Sequence, residues 1–108
     1  MPADEPTATM SVDVDPIIHA VSRLRIMTAL MSLDPEARIA FSRLRALLDM
    51  TPGNLLAQLQ TLAAAGYVRL DQQGRGRSSR TSINATPAGR EAYTRYARTI
   101  RALLDSPA

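Results

Sequence analysis

Cysteine is absent from this sequence, and its absence excludes a disulfide framework, a thiolate metal site and a cysteine nucleophile. That lack is compatible with the cytoplasm, the expected compartment. Lysine and tryptophan are absent too, so all 13 basic residues are arginine. His19 is the single histidine, which leaves no imidazole cluster for a metal and no basis for a catalytic triad. It is expected to pack at the first helix. No apolar run approaches the roughly 20 residues that a membrane span needs, so no membrane partner is expected. Met1 to Met10 is polar and acidic, without the basic and apolar regions of a secretion signal. Gly74-Arg75-Gly76-Arg77 precedes no helix, so it is not a phosphate-cradling loop. No cofactor, metal or enzyme chemistry is implied.

What is present suits one small domain. The chain has 108 residues, of which 45% are apolar, enough for one core and too few for two. Its net charge of +3 is unevenly spread. Acids outnumber bases up to Ala40, whereas eight arginines face only Asp71 and Glu91 from Arg69 to Arg101. Positive charge gathered in one region points to a polyanion, and arginine suits planar phosphate recognition.

Local signals divide the chain. Residues 1–14 lack periodicity and hold Pro2 and Pro6, so a disordered tail is expected, followed by a domain over 15–104. Asp15-Pro16 reads as a cap followed by a first-turn proline. Ile17, Val21, Leu24, Met27 or Thr28, and Met31 then predict a first helix to about Leu33. Arg38 to Phe41 is extended. Ser42 is the expected cap of a second helix, Arg43 to Asp49, with Leu44, Leu47 and Leu48 inward. Thr51-Pro52 starts a third helix almost at once, running to Ala65 on a Leu55, Leu59 and Leu62 stripe, with Gly66 as its left-handed end. Helices this close form a helix-turn-helix. Tyr67 to Asp71 and Arg80 to Asn84 alternate as strands around a mobile turn, with Val68, Leu70, Thr81 and Ile83 inward. Thr86-Pro87 opens a long last helix to about Leu104.

The expected fold class is mainly α with a small β-hairpin. The order resembles winged-helix regulators of the MarR-like type. The likeness rests on Asp15-Pro16, Arg23-Leu24-Arg25-Ile26, Phe41-Ser42, Gly53-Asn54-Leu55, Leu62 to Val68, Arg80-Thr81 and Thr86-Pro87-Ala88-Gly89-Arg90. It implies a winged helix-turn-helix that binds double-stranded DNA, and a cleft near the first and last helices that in some relatives takes a small apolar effector.

The residues support that expectation on their own terms. A helix fits the major groove, and the outer face of the third carries Gly53, Asn54, Ala57, Gln60 and Thr61, flanked by Gln58. Ser42 and Thr51, at the helix starts, complete this set. Between Thr51 and Ala65 there is no charged residue, so affinity must come from elsewhere. The hairpin supplies it: Arg75, Arg77 and Arg80, with Ser78 and Ser79, are placed to follow phosphates or a narrow minor groove. Tyr93, Tyr96, Ile100 and Leu103 recur at steps of three and four, a seam suited to a homodimer with Ile17 and Val21 of the first helix. The alternative function is a protein–protein interaction module without DNA binding, which an uncharged third helix would suit.

Overall fold

The computed structural model describes residues 14–76 and 80–106. Its elements are α1 (Val21–Met31), β1 (Ile39–Ala40), α2 (Phe41–Leu48), α3 (Pro52–Ala64), β2 (Val68–Gln73), β3 (Arg80–Ala85) and α4 (Pro87–Leu104). The three strands form one antiparallel sheet in the order β1-β3-β2. The fold is a winged helix-turn-helix, mainly α with a small hairpin. No described helix is long and apolar enough to cross a membrane. Of the expected tail, all but Val14 lies outside the described residues.

One apolar core joins every element. Ile18, Ile26, Met27, Leu30, Leu44, Leu55, Leu59, Leu62 and Ile83 are fully buried, and no described polar or charged residue is. Two buried side-chain atoms at its edge, Asn84 Oδ1 and Arg90 Nε, nevertheless lack a hydrogen-bond partner among the described residues. The hairpin register sets Leu70 opposite Ile83 and Val68 opposite Ala85, as alternation requires. Thr51 and Thr86 both cap as their sequence predicts, accepting from the amides of Asn54 (3.2 Å) and Gly89 (3.0 Å). Gly66 follows α3 at φ +82°, the left-handed conformation that ends it.

Three expectations are corrected. The first helix does not run from Pro16. The Asp15 side chain does cap the amides of Ile17 (2.8 Å) and Ile18 (3.3 Å), but only a single turn follows before the backbone extends at Ala20. The break sends Ile18 into the core and leaves the Ile17 carbonyl without a helical partner. Arg23 Nε donates to that carbonyl at 2.6 Å instead. Next, α2 starts at Phe41 rather than Arg43, and Ser42 is not its cap. Strand β1 runs straight into the helix, so Ala40 takes the cap position without a side-chain bond. Finally, Leu47 is 65% exposed. In so short a helix, Leu44 and Leu48 fill the core-facing positions one turn apart and turn Leu47 aside.

Candidate nucleic-acid interface

The turn between α2 and α3 is held by two arginines, Arg25 and Arg45. Asp49 ends α2 in the left-handed region (φ 55°), and Met50 plunges into the core. Arg25 donates to the Leu48 carbonyl at 2.8 Å, and Arg45 donates to that of Met50 at 3.3 Å. Both carbonyls sit where α2 has run out of amides, and a cation suits a helix C-terminus. These two guanidiniums fix the angle at which α3 leaves the turn.

Helix α3 buries Leu55, Leu59 and Leu62, which turns Gly53, Ala57 and Gln60 outward. That outer strip is small and uncharged, so a groove wall can approach it closely. Asn54 is exposed at its flank. Gln58 is half-buried and engaged: Arg23 donates to its Oε1 at 2.8 Å, and its Nε2 donates to Asn54 Oδ1 at 3.2 Å. The Thr61 hydroxyl donates to the Ala57 carbonyl at 3.3 Å, and that of Thr51 is the cap. Of the polar side chains predicted to read bases, Gln60 and Asn54 are therefore the ones presented most openly.

This strip carries no charge, and the nearest cations in sequence outside it are on α2 and the hairpin. Ser42 is exposed in the first turn of α2, which carries no acid and no side-chain cap. Across a hollow of about 330 Å³ stand Arg80 and Thr81, at the start of β3. The first turn of α2, with Ser42, and Arg80 of β3 thus line one space, residue types suited to a phosphate. Arg75 is exposed between Gly74 (φ 86°) and Gly76 (φ 54°), both in conformations that favour glycine. Arg77 and Ser78 lie outside the described residues. The acid of the hairpin, Asp71, is paired with Arg38 at 2.6 Å. Between Phe41 and Leu70 the sequence holds one acid, Asp49. Sequence reasoning missed Arg43, exposed beside Ser42 on α2, although its place in a first turn was a usable signal.

A second region lies where the N-terminal turn meets α4. Tyr96 is buried in its own domain, and its hydroxyl bonds His19 Nδ1 at 2.9 Å. His19 is thus exposed and pinned to α4 rather than packed at α1. Tyr93 bonds Thr28 through the two hydroxyls at 2.8 Å. The seam read from the sequence is therefore one stripe with two surroundings. Its first half, with Gly89, Ala92 and Tyr96, packs inward. Further on, Ile100 is half-buried, while Leu103 (43%) and Leu104 (79%) are exposed, as is Val21 (71%) on α1. A cleft of about 480 Å³ opens beside it, lined by Ile17, Tyr67, Arg95 and Tyr96 among others. Tyr67 donates to Asp15 Oδ2 at 2.6 Å. That carboxylate, helped by burial and its own charge and opposed by Arg95, raises the Tyr67 phenol above its ordinary value. Among the described residues, no three histidine or acidic side chains gather as a metal site would require.

Known proteins match this arrangement. A family model described as a winged helix DNA-binding domain matches residues 22–104. A solved transcriptional regulator homologue from Pyrococcus horikoshii OT3 is 28% identical, with a TM-score of 0.74 over 94% of this chain and 95% of its own. A structure from Porphyromonas gingivalis W83, described as a MarR-family regulator, is 15% identical, with a TM-score of 0.64 over 90% of this chain and 97% of its own. The second likeness is one of fold. No curated protein matches the sequence.

Proposed function

Since this chain belongs to the winged helix DNA-binding domain family, matched over residues 22–104, we propose that it is a homodimeric transcription regulator of duplex DNA. In this reading α3 enters the major groove, where Gly53 and Ala57 allow close approach and Gln60 and Asn54 address base edges. The α2 N-terminus and the hairpin hold phosphates on either side, with Ser42, Arg43, Arg75 and Arg80 as anchors and Arg77 and Ser78 as further contacts.

The observation that carries the proposal is the hollow shared by Ser42 of α2 and Arg80 of β3. It brings the start of α2 and a hairpin cation to one space, while the outer strip of α3 is uncharged, which is what a groove flanked by phosphates demands. The end of α4 supports the dimer, since Leu104 (79%) and, in part, Leu103 (43%) are left exposed by the described domain. The cleft at Tyr67 and Arg95 is the place for an effector, and its mostly apolar lining, with Asp15 and Arg95 as charged groups, favours an amphipathic molecule. Selection from random duplex DNA tests the function. Enrichment of a two-fold related site, bound far more tightly than a scrambled duplex, is the expected result; no enrichment at low salt would overturn it.

One observation favours a second reading. Leu47 (65%) and Leu56 (42%) are exposed on the two helices of the helix-turn-helix, where a protein partner would bury them. A chain that binds no duplex even at low salt, but loses a protein partner on Leu56→Ser, would establish this alternative.

A further inference from the structure

We infer that Arg23 is a positioning residue that sets the polarity with which α3 reads a base edge, a role that rests on the duplex-reading function proposed above. The starting point is an asymmetry between side chains. A guanidinium has donors and no acceptor, whereas a glutamine or asparagine amide has one end of each kind. Arg23 Nε donates to the Ile17 carbonyl at 2.6 Å, which anchors the guanidinium from the N-terminal turn. Its NH1 donates to Gln58 at 2.8 Å. Only the oxygen of Gln58 can accept there, so chemistry and not convention decides which way that amide faces. Its nitrogen must then point along α3, where it donates to Asn54 at 3.2 Å. Asn54 must meet it with oxygen. The Asn54 NH2 is thereby left as the group shown to solvent, near the N-terminal end of the helix, where base edges are read.

The relay has a chemical consequence for the ligand. A free asparagine can flip and meet either a donor or an acceptor. Asn54 cannot flip without leaving two NH2 groups facing each other. It therefore offers a donor, matched by guanine O6 or N7, adenine N7 or thymine O4, and opposed by the amino groups of cytosine and adenine. Arg23 touches no base in this scheme. It acts through Gln58, so its charge contributes orientation and not a phosphate contact.

The test measures affinity for the selected site and for single-base-pair variants of it, using the full chain and its variants at two salt concentrations. Arg23→Met keeps the aliphatic stem and removes the donors, so preference at one base pair should relax by about tenfold. Arg23→Lys, still donor-only, should retain it. Gln58→Glu keeps a partner for Arg23 but turns an acceptor toward Asn54, which must then reverse. Its preference should invert toward a donor-bearing edge, and this variant serves if Arg23→Met fails to fold. In an Asn54→Ala background neither change should alter the preference further. Unchanged base order in Arg23→Met and Gln58→Glu would overturn the inference alone. So would a uniform loss on every duplex in Arg23→Met with a salt slope lower by about one, the mark of a phosphate contact. A wild-type chain that binds no duplex would overturn the function and the inference together.

Discussion

Gly89 lies directly against the backbone of Tyr67. A Cβ at Gly89 would overlap the Tyr67 carbonyl and come within 2.8 Å of its carbon. The same carbonyl accepts from the Thr86 amide at 3.0 Å, and Thr86 Oγ1 donates to the Gly66 carbonyl at 2.6 Å. The start of α4 is thus stapled to the end of α3 through backbone groups that cannot give way. Gly89→Ala should therefore destabilise the fold by about 3 kcal/mol. Denaturant unfolding checks this, and Ala88→Gly, one residue away and exposed, is the control. The control should lose about 1 kcal/mol, from helix propensity alone.

Tyr67 also carries a pH dependence. Its phenol is held above the ordinary value of 10.0 by the Asp15 carboxylate, so the folded state keeps the proton longer than the unfolded chain. A raised value stabilises fully below the unfolded value and fades as pH climbs through the folded one. Tyr67→Phe should cost about 1 kcal/mol at neutral pH. The gap between wild type and variant should hold steady up to about pH 9 and close at higher pH. A constant gap across that range would show that ionisation of this hydroxyl contributes nothing.

How much of this was legible in the sequence depends on the range of the forces involved. Caps and strand alternation are local, so Thr51-Pro52, Thr86-Pro87 and the Val68 and Ile83 pattern foretold their elements. The break at Ala20 was not legible, because the apolar spacing from Ile17 to Met31 runs through it. What breaks the helix is tertiary: Ile18 fills the core, Asp15 bonds Tyr67, and Arg23 takes the orphaned carbonyl. The candidate site divides in the same way. The outward face of α3 follows from its leucine stripe, so Gly53, Ala57 and Gln60 could be placed in advance. That Gln58 is engaged could not, since its partner lies 35 residues away. Charge counting fails for a related reason. Arg90 counts toward the basic half, yet it donates to the carbonyls of Leu33 and Asp34 at 3.2 and 3.3 Å. A count gives a cation's sign and not its employment.

The exposed end of α4 predicts a concentration-dependent dimer. Leu103 (43%) and Leu104 (79%) are both exposed near the end of the helix, so Leu103→Asp with Leu104→Asp should spare the monomer fold. In an interface the same carboxylates would be buried without partners, at a cost sufficient to prevent association. Sedimentation should show twice the 11.7 kDa chain mass for wild type at micromolar concentration, and the monomer mass for the double variant. Wild type at monomer mass, unchanged as concentration rises, would exclude the dimer.

Anchoring and reading should separate cleanly on duplex DNA. Arg43 and Arg80 are charged, exposed and carried on α2 and β3 rather than on α3, so in the proposed reading they serve phosphates common to every sequence. Gln60 has no charge and stands on the outer strip of α3, so in the same reading it serves base edges. If a dimer neutralises about six phosphates, log K should fall against log salt with a slope of roughly −5. Arg43→Ala or Arg80→Ala should weaken selected and scrambled duplexes by similar factors and flatten the slope by about one per lost contact. Gln60→Ala should leave the scrambled duplex nearly untouched and remove about 1–3 kcal/mol of preference for the selected site. The opposite pattern, with full discrimination in Gln60→Ala and lost discrimination in Arg80→Ala, would make the hairpin the reader. The minor groove would then carry the sequence information, and the small, uncharged strip of α3 would serve only to let the helix lie close to the duplex.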